Sequence, residues 1–371
     1  MSKTNQQYKT KYDKKIAARK ALRVQEEKEL KLWKIGGIAF VILVLCAILV
    51  PVLINVQKKN EVVNGTYIQV GNHNISKLEY DFYYYTVTNS YVNQNGYMLS
   101  YLGLDTSKPY DEQWYMEEDG MTWKDYFDSI TVNQIKEVYS ILDKAQENGF
   151  QADVTDGYES YVEQIKNAAV TDGSTLKDYY KAYFGPYATE QNVEKFIKDG
   201  FISTHYYEEL ITQNLPEEDE INSVYEENKN AYDVVDFKLS SFEVDVDLID
   251  LDEGITDEQW EYLEQDAKNF MDDGAPFTQE DTMIGANFRS LSPTLGEWVF
   301  DDSRKEGDIA TLKDEDMGAV YVVSFDKRYC EDQALAGIAD SLSSEKVNLM
   351  IEEWSSSYEV KDLKGELTFL K

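Results

Sequence analysis

The chain has 371 residues and a mass of 42.8 kDa, room for two or three domains. Seventy acidic against 36 basic residues give a formal net charge of −34, which excludes nucleic acid as a partner, because phosphate contact needs a basic face. Disorder of the acidic kind needs few aromatics, and here 13% of residues are aromatic and 42% hydrophobic; six prolines and 20 glycines exclude collagen-like and low-complexity classes.

Residues 1–34 hold 11 Lys/Arg and four acids, a balance of +7 that leaves −41 for the remainder. Residues 35–56, IGGIAFVILVLCAILVPVLINV, carry no charge over 22 residues. At helical rise they span about 30 Å, enough for a bilayer core. The basic flank places 1–34 in the cytoplasm and the acidic portion outside, so the expected localisation is the cell membrane, single-pass. The long charged leader and the lack of a small-residue cleavage site after Val56 favour an uncleaved signal anchor. Leu45 before Cys46 departs from a lipoprotein signal. Cys46 in the span and Cys330 in the outer portion cannot pair, so the outer portion relies on its core rather than on disulfides. The sequons at Asn64 and Asn74 carry meaning only in a eukaryotic secretory route.

Residues 57–65 read as a polar linker. Thr66–Val70 reads as a strand, with a turn at Gly71-Asn72. Ser76-x-x-Glu79 is a capping box for a helix whose face is Leu78, Phe82, Tyr85 and Val92, stopped at Asn95-Gly96. Residues 97–121 read as an aromatic loop. A second helix starts near Thr122, with Trp123, Phe127, Ile130, Val138, Leu142 and Ala145 on one face and Gly149 as its stop. Further helices are expected over 156–169, 174–184, 189–213 and from Pro216. Between 67 and 232 lie 22 of the 28 tyrosines. Most read as core and rim of a helical lobe, a minority as lining of a groove.

Near residue 234 the period changes to strand-like alternation, Val235, Phe237, Leu239. The acidic stretch Asp245–Gly254 lacks the ligand spacing of a calcium loop and reads as solvated. Thr256-x-x-Gln259 caps a helix bearing Trp260, Leu263, Ala267 and Phe270, ended by Gly274. A short helix over 294–304, a small strand after Gly307-Asp308 and a strong strand Ala319–Phe325 follow, so 234–329 reads β-α-α-β-β. A last helix presents Leu335, Ile338, Leu342, Leu349 and Trp354, and Tyr358–Leu370 reads as an extended tail.

Hydrolase, zinc-protease, P-loop and dinucleotide motifs are absent. With only His73 and His205, a His-based metal or triad site has little material, and each reads as structural. No cofactor and no metal is expected.

The order of parts resembles the parvulin-type extracytoplasmic foldases, the PrsA-like and SurA-like peptidyl-prolyl isomerase/chaperones. VVDFKLSSFEVD is similar to a first parvulin strand, the helix ending DDGAPF to the family's helix-Gly-x-x-Phe, and LGEWVFDDSRKEGDIATL to the segment leading to the Gly-Asp turn and strand. MGAVYVVSFDKR resembles the last strand, and EEDEINSVYEENKNAYD the preceding linker helix. The resemblance covers most of 216–355. It implies an α+β chain with a single transmembrane helix at 35–56, a linker 57–65 and a mostly helical chaperone-like lobe at 66–233. A small inserted parvulin-like domain at 234–330 and a C-terminal helix and tail at 331–371 returning to the lobe complete it. The family places His in the first and last strands with Cys or Asp between; residues 234–330 contain no His, Val320 stands near the last-strand position, and Lys238, Ser240 or Ser241 near the first.

The resulting expectation is a membrane-anchored folding factor that binds unfolded secreted polypeptides and is weak or inactive as an isomerase. Phe277, Leu295, Trp298, Phe300 and Tyr321 are the candidates for a proline-gripping slot, and each is also a candidate core residue. The alternatives are an active isomerase with a non-standard site and a non-enzymatic cell-surface interaction protein.

Overall fold

The computed structural model describes residues 54–245 and 254–371. The basic leader, most of the apolar run 35–56 with Cys46, and most of the acidic stretch 245–254 lie outside the described residues. Among the described residues, no helix is long and apolar enough to cross a membrane. Helix and strand segregate as in an α+β protein. The described chain divides into two compact units: 54–140, 153–201 and 355–371 form the first, 141–152 and 202–354 the second.

In the first unit, residues 54–64 are helical (α1) where a polar linker is expected. Strands β1 (Thr66–Val70) and β2 (His73–Ser76) form a hairpin around Gly71, whose φ of 56° suits glycine. The C-terminal tail is not merely extended. Its strand β9 (Val360–Asp362) pairs antiparallel on the other edge of β1, so the sheet order is β2-β1-β9, with Ile68 and Val70 fully buried at the centre.

Ser76 caps α2 (Lys77–Gln94) by accepting from the Glu79 amide at 3.1 Å. The sequence expects one apolar face on α2. Leu78 and Phe82 are buried, but so are Glu79, Tyr80, Asp81 and Tyr83, so its first two turns are enclosed all round. Tyr85 and Val92 are only half-buried. A two-strand hairpin, β3 (Trp114–Met116) with β4 (Met121–Thr122), interrupts the expected loop 97–121. Helices α3 (Trp123–Glu147), α4 (Thr155–Thr171), α5 (Leu176–Phe184) and α6 (Glu190–Gln213) follow. Leu104, Trp123 and Phe127 form one cluster, with Tyr91, Tyr115 and Tyr126 packed around it. The Phe82 ring stacks on Phe184 at 5.3 Å. Gly185 has φ 103°, and a Cβ there would lie 2.8 Å from the Cβ of Asp81, so helix α5 closes on α2 only through glycine.

The second unit carries α7 (Glu218–Glu227) and α8 (Lys229–Tyr232), then β5 (Asp233–Glu243), α9 (Asp257–Asp272), β6 (Thr282–Asn287), α10 (Pro293–Val299), β7 (Ile309–Asp314), β8 (Ala319–Cys330) and α11 (Asp332–Ser356). The four strands are antiparallel in the order β6-β5-β8-β7. Sequence periodicity misses β6. Its residues TMIGAN have no apolar alternation, and Met283 and Ile284 face solvent while Gly285 bends the strand at φ 65°. The last strand runs past Phe325 to Cys330 because its partner β5 is equally long, pairing from Glu243↔Ala319 to Asp233↔Cys330. Helix α10 stops at Val299, short of the expected 304, because Asp301 turns the chain by accepting from the Ser303 amide at 2.8 Å.

The sheet has two apolar faces. Against α10 lie Val235, Phe237, Val323 and Phe325; against α9 lie Val320 and Val322. In the helical part of this unit, Val347 and Ile351 of α11 pack with Ile141, Ala145, Tyr206 and Leu210. Leu349, expected on that face, is 59% exposed. The buried stripe instead runs Ile338, Ser343, Val347, Ile351, a five-four-four spacing whose small polar Ser343 hides the helical period from a reading by apolar residues alone.

Candidate functional site

The five residues read as a proline slot do not share one. Leu295 and Phe300 are buried in the α10-face cluster with Phe237 and Phe325. Trp298 is half-buried there, its ring capped by the Arg304 guanidinium at 4.6 Å. Tyr321 is 7% exposed, between Ser241 and Leu312 on the neighbouring strands. Phe277 packs on Phe270 at 5.3 Å, in the α9 cluster on the opposite side of the sheet. Leu295, Trp298 and Phe300 therefore fill one layer, strand alternation with Val323 and Phe325 puts Tyr321 on the same face, and the sheet separates Phe277 from them.

On the same sheet, the positions where the resemblance implies histidines carry none. Val320 is fully buried in the α9 cluster, so the position read as a lost histidine is core. Lys238 faces Asp326 at 3.8 Å, and the Ser241 hydroxyl donates to Glu243 at 2.6 Å, both surface pairings. Burial raises the pKa of the half-buried Cys330 thiol, with Asp233 adding to it, so the thiolate is disfavoured. No cluster of metal-ligating side chains occurs among the described residues. The polar centre of this unit is structural. Arg328 donates to Asp233 at 2.6 Å, to Asp302 at 2.9 Å, to Asn230 at 2.9 Å and to the Phe300 carbonyl, while Tyr225 donates to the other Asp233 oxygen at 2.7 Å. That fork ties α7, α8 and the end of α10 to the sheet.

Open concave surface lies in the first unit. Two adjoining clefts of about 470 and 350 Å³ share Tyr67, Lys77 and Glu366. The larger is walled by Tyr80, Asp81, Tyr84 and Tyr85 of α2 and by Lys124 and Asp128 of α3. The i,i+4 pairs Lys77–Asp81 and Lys124–Asp128, the latter at 2.5 Å, set cations over buried carboxylates. The Lys77 ammonium also lies 4.9 Å from the Tyr67 ring centre and 5.2 Å from that of Tyr80. Tyr80 donates to Asp128 at 2.6 Å. Burial raises the pKa of Asp81 and Asp128 against the pull of their lysines, and burial also raises the phenol pKa of Tyr67, Tyr80 and Tyr84. The cleft thus offers tyrosine faces and tips with a neutralised floor.

Neither histidine joins this cleft. His73 stacks on Tyr139 at 4.2 Å, and His205 is exposed with Nδ1 3.2 Å from Glu208. The sequence signal for the cleft was the repeated Lys-x-x-x-Asp at 77/81 and 124/128 beside Tyr83-Tyr84-Tyr85. Such pairs are common on exposed helices, so spacing alone did not select them.

No family model matches the sequence, and no curated protein matches it. Seventeen solved chains match in structure. A foldase protein (PrsA) from Lactococcus lactis is 12% identical, with 81% of this chain and 95% of that chain covered and a TM-score of 0.32. A peptidylprolyl isomerase (PrsA) from Bacillus cereus is 11% identical over 72% of this chain and 96% of that one, with a TM-score of 0.30. One of the SurA-like chaperones of Campylobacter jejuni is 11% identical over 81% and 99%, with a TM-score of 0.27. The chain is thus similar to PrsA and SurA-like chaperones at an identity and overlap that assign no activity.

Proposed function

We propose that the chain is a membrane-anchored extracytoplasmic folding factor that holds unfolded secreted polypeptides and has weak or no prolyl isomerase activity. The observation that carries this reading is the pair of adjoining clefts in the first unit, lined by tyrosines over paired charges. Tyrosine rings give apolar contact area while their hydroxyls meet backbone amides, so such a surface accepts many sequences. Exposed Tyr97, Tyr101, Trp114 and Met116 add apolar surface in the same unit. The filled α10 layer and the absence of histidine from 234–330 support a module that packs without catalysing. The charge step from +7 to −41 across 35–56 supports an anchor with the described residues outside.

The test measures light scattering of an aggregating reduced client with and without the chain. Suppression that weakens in Tyr85→Ala, a half-exposed cleft residue, is the expected result. On an X-Pro peptide, exchange stays at the uncatalysed time of about tens to hundreds of seconds. Fast turnover abolished by Trp298→Ala assigns the chain as an isomerase instead. Neither activity leaves a cell-surface interaction protein. Protease shaving of intact cells is expected to digest the acidic portion and spare the leader; the reverse pattern overturns the orientation.

A further inference from the structure

Helices α2, α4 and α5 of the first unit line a third groove, of about 320 Å³. None of its lining residues is charged, although 29% of the chain is. Its polar groups include the amides of Asn89, Asn93 and Gln164 and the hydroxyl of Ser90. Its aromatic wall is Tyr179 and Tyr183, stacked at 4.1 Å with an interplanar angle of 15°. Asn89 holds its Nδ2 3.5 Å from the carbonyls of Ala182 and Tyr183, a long and replaceable contact. The side chains of Ser90, Asn93 and Gln164 make no hydrogen bond to another described residue and are exposed.

We propose that this groove binds a neutral glycan, hexose or N-acetylhexosamine rings, as a site separate from the charged clefts around Lys77. Three features select that ligand. A charged ligand entering here gives up water without meeting a counter-charge, which disfavours anionic sugars, phosphates and basic peptides alike. Carboxamides and hydroxyls both donate and accept, and so does every sugar hydroxyl, so the two sets satisfy each other. Stacking of the two tyrosine rings on each other covers their inner faces and holds them rigid, leaving an outer ring face as the flat apolar surface of the kind that the C–H face of a pyranose covers. A proline-rich peptide is the nearest competitor for an aromatic groove. Its prolines offer no N–H, so the groove's amide oxygens gain no partner from it, whereas sugar hydroxyls meet both the donors and the acceptors of the carboxamides. This proposal does not depend on the folding-factor reading.

The experiment titrates the full chain, kept in a detergent without a sugar headgroup, with cellotetraose, with chitotetraose and with an uncharged proline-rich decapeptide. Saturable binding of a tetrasaccharide is expected, weakened about tenfold by Tyr179→Ala and by Gln164→Ala, each the equivalent of one lost stacking or hydrogen-bond contact. Gln164 is exposed, so its variant keeps the fold even if Tyr179→Ala does not, and thermal melts of both check this. Tyr262→Ala, at a 67% exposed position on α9 outside the groove, leaves binding unchanged. Failure of both tetrasaccharides to bind overturns the proposal, as does binding that survives both groove variants. Decapeptide binding that is lost in those variants, with no tetrasaccharide bound, reassigns the groove to polypeptide.

Discussion

Replacing Leu367 with alanine tests whether the C-terminal tail completes the first unit. Leu367 is fully buried although only four residues from the chain end. It is held there by a local turn: the Asp362 carboxylate accepts from the amides of Lys364 at 3.0 Å, Gly365 at 2.8 Å and Leu367 at 2.8 Å. These three bonds hold the Asp362 pKa below the ordinary carboxylate value, against the burial that raises it. Thr368 then donates to Asp125 at the start of α3, and Lys364 meets Glu61 of α1 at 2.8 Å. A Leu→Ala change at a closed site costs about 2–5 kcal/mol, the lost transfer energy plus the cavity. Taking about 3 kcal/mol, and about 2–4 °C per kcal/mol for a unit of this size, the first unit should melt about 6–12 °C lower. Calorimetry of the full chain reads this as a shift of one transition. Hydrogen exchange over 66–76 should quicken with it, because β9 protects one edge of β1. An unshifted transition with unchanged exchange at 66–76 would refute the claim that the tail is part of this unit's core.

Glu79 is buried against the Tyr139 hydroxyl, and burial raises the pKa of Glu79, Asp81 and Asp128. A raised folded pKa means that the folded state holds the proton more tightly, so these groups contribute most below the unfolded value near 4, and the contribution is lost as pH rises through the folded value. Glu79→Gln keeps an oxygen for Tyr139 and removes one titration. Melting from pH 5 to 7.5 should therefore fall less steeply than in the parent, and an unchanged slope would mean that Glu79 stays ionised in the fold. Arg328→Ala leaves the buried Asp233 without its cation and should cost about 3 kcal/mol or more in denaturant melts. Arg328→Lys should not restore it, since one ammonium cannot reach Asp233, Asp302 and Asn230 together; full rescue by lysine would show that charge alone matters there.

Elements with a strong local signal were legible in the sequence. Ser76 and Thr256 cap their helices, but only Thr256 with Gln259 forms the reciprocal box; the Glu79 carboxylate is taken by the Tyr139 hydroxyl instead. Strands β1 and β8 carry dense β-branched residues and were found. What failed was structure fixed by distant partners. Strand β6 exists because β5 offers it an edge, with the Gly285 amide donating to Asp236 at 2.8 Å across 49 residues. Strand β9 exists because β1 needs a second neighbour. Neither has an apolar alternation of its own, so periodicity had nothing to report. Helix α2 was placed correctly, from the Ser76 cap to Asn95, but its single apolar face was not: Glu79, Tyr80, Asp81 and Tyr83 are buried beside Leu78 and Phe82, so polar and apolar positions of its first turns are enclosed together.

The site was less legible because aromatic residues look alike in sequence whether they fill a core or line a groove. Trp298 and Tyr85 carry similar signals, yet one lies under Arg304 against a packed layer and the other on a cleft wall. The charge total misleads in the same way. A net −34 invites the expectation of acidic binding surfaces. In the first unit, Lys77 answers Asp81 and Lys124 answers Asp128 in the large cleft, Glu366 on its walls meets the Tyr67 hydroxyl, and the lining of the third groove carries no charge. The large cleft and the third groove are therefore close to neutral in a strongly acidic chain. Surplus negative charge favours solubility, and the recognition proposed for these clefts and for the groove rests on rings, hydroxyls and amides. Affinity governed that way should depend little on salt, because screening acts on exposed charges and not on stacking or neutral hydrogen bonds.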